Sequence, residues 1–598
     1  MRAKRLALVV ATVLCIAGAL SVSLWHASAS DCSKISVGFV PLNDLGAALY
    51  EGKQGGLYPN GSNLRPLTHE NAGLQIAKGI APLNPSGQSD PNGRAVLVSI
   101  GMSNTTQEFS TFIPVADADP AKNPKLTIVD GAQGGMSANR IVDLSTTSAQ
   151  QFWTTVDQRL AAAGVTPAQV QIAWVKQADP GPTLQFPDDA LKLKGELATI
   201  AQILKSRFPN IKIAYYSSRI YAGYATTNLN PEPFAYQSGF AVKWLIEDQI
   251  NGSPDLNFDG AHGAVKAPWL AWGPYLWADG TTPRSDGLTW SCSDLQSDGT
   301  HPAPNGAREK VANMLLNFFK TDGTAWRWFV NPQSTTNPID DAQFFVRAHY
   351  LDFLSREPDA SGLSFWTDQI TSCGTDQSCI EGRRINDSAA FYLSIEFQQT
   401  GYLAYRIYKA SYGNLPNAPV PIKFDEFLPD TQKIGQGVVV NQAGWESVLE
   451  NNKQAFAAQF VQRSRFTAAY PTSMTPDMFV DTLFANAGGV PSSGDRAAAI
   501  NEFSSATTSS DAAARGRALR RVAENSTLAN QEFNKAFVLM QYFGYLRRNP
   551  NDPPEATLDF QGYNFWLNKL DSFNGNFQNA EMVKSFIVSG EYRQRFGP

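Results

Sequence analysis

The sequence predicts an α/β protein built on a parallel sheet, followed by a separate all-α region. Three observations carry this. Between residues 95 and 216, apolar runs of strand length alternate with stretches whose apolar side chains recur at helical spacing, the pattern of a parallel sheet with crossover helices. Past a polar stretch near 329–341 the strand-like runs stop, and Ala, Gln, Phe and Asn dominate with helical spacing. At 598 residues the chain is also longer than one hydrophobic core organises.

Residues 1–30 read as a secretory signal peptide. Arg2, Lys4 and Arg5 precede an apolar run from Leu6 to about Val22, and Ala27-Ser28-Ala29 offers a small-residue cleavage site. A retained anchor is the alternative. Nothing else in the chain is long and apolar enough to span a bilayer, so no integral span is expected after removal of the signal, and the product is placed outside the cell, in the periplasm or at the cell surface. With 49 Lys+Arg against 54 Asp+Glu the formal charge is -5, and loss of the three leader cations makes it -8. Such a mildly acidic product is a poor nucleic-acid binder. Cys32, Cys292, Cys373 and Cys379 remain, an even number that suggests disulfides in an exported protein. Three pairings are possible. Cys373–Cys379 would close a short loop, and Cys32–Cys292 would tie the mature N-terminus beside the loop at 297–302. No second Cys or His cluster accompanies these residues, which argues against zinc.

The first domain is expected over 31–330. Val37–Val40 could form a strand, and the Gly-, Pro-, Asn- and Ser-rich stretch 52–92 reads as irregular covering structure. Ala95–Ile100 is a strand-length apolar run that ends at Gly101-Met102-Ser103-Asn104. Leu126–Val129 is the next strand, ending in Asp130-Gly131-Ala132-Gln133-Gly134-Gly135, where a glycine pair lets backbone N–H groups approach a ligand. A helix around Phe152–Ala162 leads to the strand Val170–Val175, followed by Lys176-Gln177-Ala178-Asp179. A helix with Leu193, Leu197, Ile200 and Leu204 on one stripe precedes the strand Ile211–Tyr216. From there to Trp290 the chain is dense in aromatics, among them Trp272, Tyr275 and Trp277. These read either as loop residues able to stack on sugar rings or as a satellite core.

The chemistry-bearing stretch is Ser297-Asp298-Gly299-Thr300-His301-Pro302, just before a helix with Val311, Met314, Leu315, Phe318 and Phe319 on one face. An Asp three residues before a His can bend back and hold one ring nitrogen, freeing the other to take a proton from a serine. Ser103, at the C-terminal end of a strand, is the serine so placed. Asp259-Gly260-Ala261-His262 has the same Asp/His spacing and competes. His301 is favoured because it stands directly before the last helix and carries the following Pro. His69 and His349 lack this context and read as structural.

These residues resemble the SGNH (GDSL-type) hydrolases. Asp298-Gly299-Thr300-His301-Pro302 is the more specific half of the match, and Gly101-Met102-Ser103-Asn104 resembles the Gly-x-Ser-Asn form of carbohydrate acetylesterases in that family. The resemblance covers roughly 90–325. It implies a flavodoxin-like three-layer α/β/α domain and a serine esterase acting on a carbohydrate ester or cell-surface glycan without cofactor or metal. It further implies a catalytic set of Ser103, Asp298 and His301, and an oxyanion hole from the backbone of Ser103 and of Gly135, with Gly134 close behind. The family's third donor is an Asn where this chain has Gln177, which either supplies the amide from a longer arm or is an ordinary loop residue. Asn104 could shape the turn after the nucleophile or line the substrate site, as could Trp272, Tyr275 and Trp277. A non-catalytic surface or matrix protein with an inherited hydrolase fold is the rival reading; a long-chain lipase is weaker, because the covering loops are aromatic and polar.

A linker is expected at 331–341 and a helical repeat domain at 342–598. Phe345-Val346, Tyr350 and Pro358 recur as Phe537-Val538, Tyr542 and Pro550, with weaker copies at Leu403, Tyr408, Pro416 and at Phe479, Phe484, Pro491, so about four degenerate units start 58, 76 and 58 residues apart. Arg356 and Arg548 precede their prolines by two, Phe365-Trp366 matches Phe565-Trp566, and the tails share Ser-x-Glu at 394–396 and 589–591. This resembles a helical repeat domain of unknown function found at the C-termini of secreted bacterial proteins. Units too small to bury their own apolar faces are expected to stack.

Overall fold

A computed structural model describes residues 30–331, 337–489 and 491–596. The leader expected over 1–30 lies outside the described residues except for Ser30, as do 332–336 of the expected linker.

Five strands form one parallel sheet: β1 (Ala95–Gly101), β2 (Leu126–Asp130), β3 (Val170–Lys176), β4 (Ile213–Tyr216) and β5 (Trp269–Trp272). Their order is β2-β1-β3-β4-β5, one of the two common doubly wound orders. The register runs Val129, Val98, Ala173, Ala214, Leu270 across the sheet. Every residue of β1, β3, β4 and β5 is buried, as a sheet covered on both faces requires, which is why these strands read as largely apolar runs, interrupted only by Ser99, Gln171 and Lys176.

The main helices of this part are α1 (Leu67–Lys78), α2 (Ser103–Ala118), α3 (Thr147–Ala162), α4 (Asp188–Arg207), α5 (Phe234–Ile250) and α6 (Glu309–Thr321). The step from β1 to β2 runs opposite to the steps β2 to β3, β3 to β4 and β4 to β5. Right-handed crossovers therefore put α2 on one face and α3, α4 and α5 on the other, and α6 packs on α2. The order reverses at β1 and β3, so the crevice outside their carboxyl ends is where such a sheet places a ligand.

Three expectations need correction. The stretch 52–92 is not irregular throughout, since it holds α1. Val37–Val40 is not a strand. The Val37 and Gly38 N–H groups and the Ser36 hydroxyl donate to the Asp279 carboxylate at 2.7, 3.1 and 2.5 Å, so a side chain satisfies the backbone that a ladder would otherwise engage. The aromatic stretch is not a set of loops: it contains α5 and β5. Both expected disulfides are present, Cys32–Cys292 and Cys373–Cys379, as suits an oxidising compartment. Among the described residues no helix is long and apolar enough to cross a membrane.

The first hydrophobic core ends at Val330 and a second begins at Ile339. The second region is helical throughout, and the sequence repeat has a structural counterpart in its first and last copies. In each, a helix, α7 (Ala342–His349) or α8 (Ser526–Met540), runs into a widened π turn that ends on a left-handed residue, Ser355 or Arg547. The next arginine, Arg356 or Arg548, lies over Tyr350 or Tyr542 and makes a two-bond contact with Glu396 or Glu591, the glutamate of the repeated Ser-x-Glu. Ser394 and Ser589 cap the helices that follow, accepting from the N–H of Phe397 and of Tyr592.

The units do not stack in a row as expected. The first and last copies pack on each other, with Phe353 5.1 Å from Tyr545 and Arg595 donating both outer nitrogens to Asp352. An open stack leaves an apolar face at each end, and here each end covers the other, so the region closes around one core. Hydrogen bonds to the α/β region gather past the end of α6. There Trp326 and Arg327 donate to the carbonyls of Arg595 and Gln594, both at 3.1 Å. Since α6 starts just after His301 and spans 13 residues, these contacts lie about 20 Å along the helix from its site-bearing end.

Candidate active site

Ser103 is the first residue of α2, directly past the end of β1. Met102 at the cap position is extended and supplies no side-chain acceptor, so the first-turn N–H groups of α2 stay open toward the site. An uncapped helix N-terminus carries partial positive charge where a negative oxygen would form.

The sequence Asp298-Gly299-Thr300-His301 folds back on itself for an identifiable reason. Asp298 Oδ1 accepts from the backbone N–H of Thr300 and of His301, both at 3.0 Å, and this closes the turn while leaving Oδ2 for the ring. Gly299 has φ +64°, and a side-chain carbon there would lie 2.1 Å from the Tyr224 carbonyl oxygen, so only glycine fits. His301 Nδ1–H then donates to Asp298 Oδ2 at 2.5 Å. Because that nitrogen faces an acceptor, Nε2 is the unprotonated one, and it accepts from the Ser103 hydroxyl at 2.9 Å. Asn104 Nδ2 donates to the Thr300 carbonyl at 2.9 Å and locks the start of α2 to this turn. Burial alone would push the Asp298 carboxyl up. The bonds from the His301 ring and from the backbone of His301 and Thr300 outweigh it and hold Asp298 well below the usual carboxylate range.

The loop after β2 faces the same point. Gln133, Gly134, Gly135 and Met136 form a turn closed by Met136 N–H to Gln133 C=O, with Gly135 at φ +76°. Gly134 and Gly135 are exposed, and a side-chain carbon on Gly134 would sit 4.0 Å from Ser103 Cβ. Neither glycine N–H has a hydrogen-bond partner among the described residues. Three consecutive residues after β3 hold this loop. Gln177 Nε2 donates to the Met136 carbonyl at 3.0 Å, the Ala178 carbonyl accepts from Ala138 N–H at 3.4 Å, and Asp179 Oδ1 accepts from Asn139 N–H at 2.9 Å. Gln177 is buried, one of its amide hydrogens is committed to Met136, and its Oε1 has no partner.

Beneath the site, Lys176 donates to both oxygens of Glu108 at 2.5 and 2.6 Å, with both side chains fully buried. Burial pulls the Lys176 ammonium down to about 8 against the pull of Glu108, and burial pushes the Glu108 carboxyl up. Nothing in the sequence flagged this pair, because Glu108 reads as one polar residue on a helix and Lys176 as the end of a strand.

The other proposed site residues are not at the surface. Trp272, Tyr275 and Trp277 are 2, 5 and 0% exposed, so no sugar ring can stack on them. Trp272 and Trp277 donate their indole N–H groups to the Leu57 carbonyl and the Glu232 carboxylate, and Tyr275 Oη accepts from Leu42 N–H. Asn104, at 1% exposure, is likewise a residue that orders the site and not one that contacts substrate. His262 does pair with Asp259, at 2.8 Å, but its side chain is 79% exposed, and the ring that meets Ser103 is that of His301. His69 and His349 are buried and bonded within the cores. Among the described residues no group of three or more His, Cys, Asp or Glu side chains is placed to hold a metal ion. No protein family, curated protein or solved structure matches this chain.

Proposed function

We propose that the chain is an exported serine esterase whose α/β region is of the SGNH type and which removes acetyl or other small acyl groups from a carbohydrate. One observation carries the reading: the hydrogen-bond chain Ser103 Oγ–H to His301 Nε2 and His301 Nδ1–H to Asp298, at 2.9 and 2.5 Å, assembled at the carboxyl edge of the sheet. In the reaction, Ser103 Oγ attacks the ester carbonyl as its proton passes to His301 Nε2. The imidazolium, facing ionised Asp298, then gives that proton to the departing alcohol, and water repeats the sequence on the acyl-serine. The oxyanion is held by the Ser103 N–H at the start of α2 and by the glycine turn at Gly134-Gly135, with the second amide hydrogen of Gln177 as a further donor. The carbohydrate part rests on the likeness of Gly101–Asn104 to the acetylesterase motif, since the buried aromatics lend it no support.

The rival, a non-catalytic surface protein, draws on one observation: Gln177 spends amide hydrogen-bonding capacity on Met136. A chromogenic acetate separates the two. The esterase reading expects turnover that Ser103→Ala and His301→Ala each abolish, with a loss on the order of a million-fold that does not deepen in the double variant. Hydrolysis indifferent to Ser103, or none on any small acyl ester, would sink it.

A further inference from the structure

The two backbone segments proposed to hold the oxyanion belong to different elements. Ser103 begins α2, and Gly134-Gly135 lie in the loop after β2. The far end of that loop is tied to the residues after β3, through Met136, Ala138 and Asn139. Its near end is tied by the side chain of Asp130, the last residue of β2, which stands beside Ser99 of β1 in the register. The Ser99 hydroxyl donates to Asp130 Oδ1 at 2.6 Å, and Ala132 N–H donates to the same oxygen at 3.1 Å. Ser99 Oγ itself accepts from Gly131 N–H at 3.1 Å. Asp130 Oδ2 accepts from the hydroxyl of Thr106, in the first turn of α2. One carboxylate thus joins the end of β1, the helix that begins at Ser103 and the loop that carries the glycines. Among the described residues no other side chain bonds to both that first turn and that loop.

Neither segment depends on this carboxylate for its place in the domain. The loop is also held by Gln133 N–H, which donates to the Gly101 carbonyl at 3.0 Å, and by Arg159 Nη1, which donates to the Asp130 and Ala132 carbonyls at 2.8 and 2.7 Å. The helix is held to β3 by Thr105, whose hydroxyl donates to the Lys176 carbonyl, and by Glu108. What the carboxylate adds is a fixed separation between the two. A carboxylate suits this task, because it accepts several hydrogen bonds at once and each is stronger for its charge.

We propose that Asp130 is a positioning residue that holds the first turn of α2 and the glycine turn at the separation an oxyanion needs. This rests on the esterase reading. An oxyanion hole works by preorganisation, so donors displaced by a fraction of an ångström lose transition-state stabilisation while ground-state binding of the ester is little changed.

The test uses the full chain, with steady-state kinetics on a chromogenic acetate below each variant's melting transition. Hydrogen exchange by mass spectrometry over residues 131–141 gives a readout independent of activity. Asp130→Ala is expected to lower kcat roughly a hundredfold, the effect of about 1 Å of misplacement, with KM little changed, and to speed exchange in the loop. Asp130→Asn keeps an oxygen for Ser99 and Ala132 and turns an amide to the Thr106 hydroxyl, so it should bring exchange back and kcat to within about tenfold of wild type, its neutral bonds being roughly half as strong. Thr106→Val cuts only the tie to α2 and should lower kcat about tenfold at unchanged KM; it provides the measurement if Asp130→Ala does not fold. Wild-type kcat or wild-type loop exchange in Asp130→Ala, or wild-type kcat in Thr106→Val where that variant replaces it, would overturn the proposal. So would a loss confined to KM, or an Asp130→Asn enzyme as slow as Asp130→Ala. If hydrolysis depends on Ser103 and any of these outcomes is found, only the role of Asp130 falls. If hydrolysis is indifferent to Ser103, the esterase reading falls and takes this role with it.

Discussion

The buried Lys176–Glu108 pair offers the sharpest test of how the site is held. Glu108 lies on α2 five residues beyond Ser103, and Lys176 ends β3 next to Gln177, so the pair clamps the helix that begins at Ser103 to the strand whose following residues hold the glycine turn. The Thr105 hydroxyl adds a second tie, donating to the Lys176 carbonyl at 2.7 Å. Lys176→Met removes the cation and strands the Glu108 carboxylate in a site with no exposure. Breaking a buried pair in this way costs about 3–5 kcal/mol. For a domain of this size that lowers the melting temperature by roughly 6–20 °C. Replacing both partners, as in Glu108→Leu with Lys176→Met, removes the stranded charge and should recover most of the loss, since a well-packed apolar pair is often neutral or better. The double-mutant cycle should therefore give a coupling of several kcal/mol. Calorimetry on the full chain reads it in the transition of the α/β region, with the helical transition unmoved. Activity supplies the second half. If the clamp aligns α2, the double variant regains stability but not kcat, because apolar packing restores burial without the two-bond geometry. A single variant costing under about 1 kcal/mol, or a double variant no more stable than the single, would refute the reasoning.

Three further outcomes are expected. Gln177→Ala should lower kcat roughly a hundredfold with little change in KM if its amide serves the oxyanion, and Gln177→Asn should recover part of this; an unchanged kcat in steady-state assays leaves the hole with backbone donors only. The buried rings of His69 and His349 are each held down to about 4 by burial, so the unfolded chain takes up protons that the folded chain refuses between pH 6.5 and 4. Their contribution to stability is whole above pH 6.5 and lost as pH falls toward 4, about 3 kcal/mol for each ring, and denaturation of His349→Gln across that window should show a shallower fall in the helical transition. A fragment of residues 30–331 should fold and turn over a small soluble ester within a fewfold of the full chain, because the hydrogen bonds between the two regions gather at the far end of α6; its inactivity, cured by adding 337–596 in trans, would make the helical region part of the site.

The sequence by itself determined what is encoded over short spans. Largely apolar runs of strand length at 95–100 and 170–175 identified the buried parallel strands, and the Asp298-Gly299-Thr300-His301 turn is legible because its bonds run between residues at most three apart. The duplicated Arg and Ser-x-Glu signals were likewise readable, as their spacing repeats. Tertiary structure alone decided the rest. It chose His301 over His262, since both have an Asp three residues before them and only one reaches Ser103 across 198 positions. It turned Trp272, Tyr275 and Trp277 from candidate binding residues into core, because an aromatic side chain suits a loop and an interior equally until something covers it. It joined Glu108 to Lys176 and folded the first helical unit onto the last. Each of these depends on which distant surfaces exclude water from one another, a property of the whole packed chain that no local pattern of residues carries.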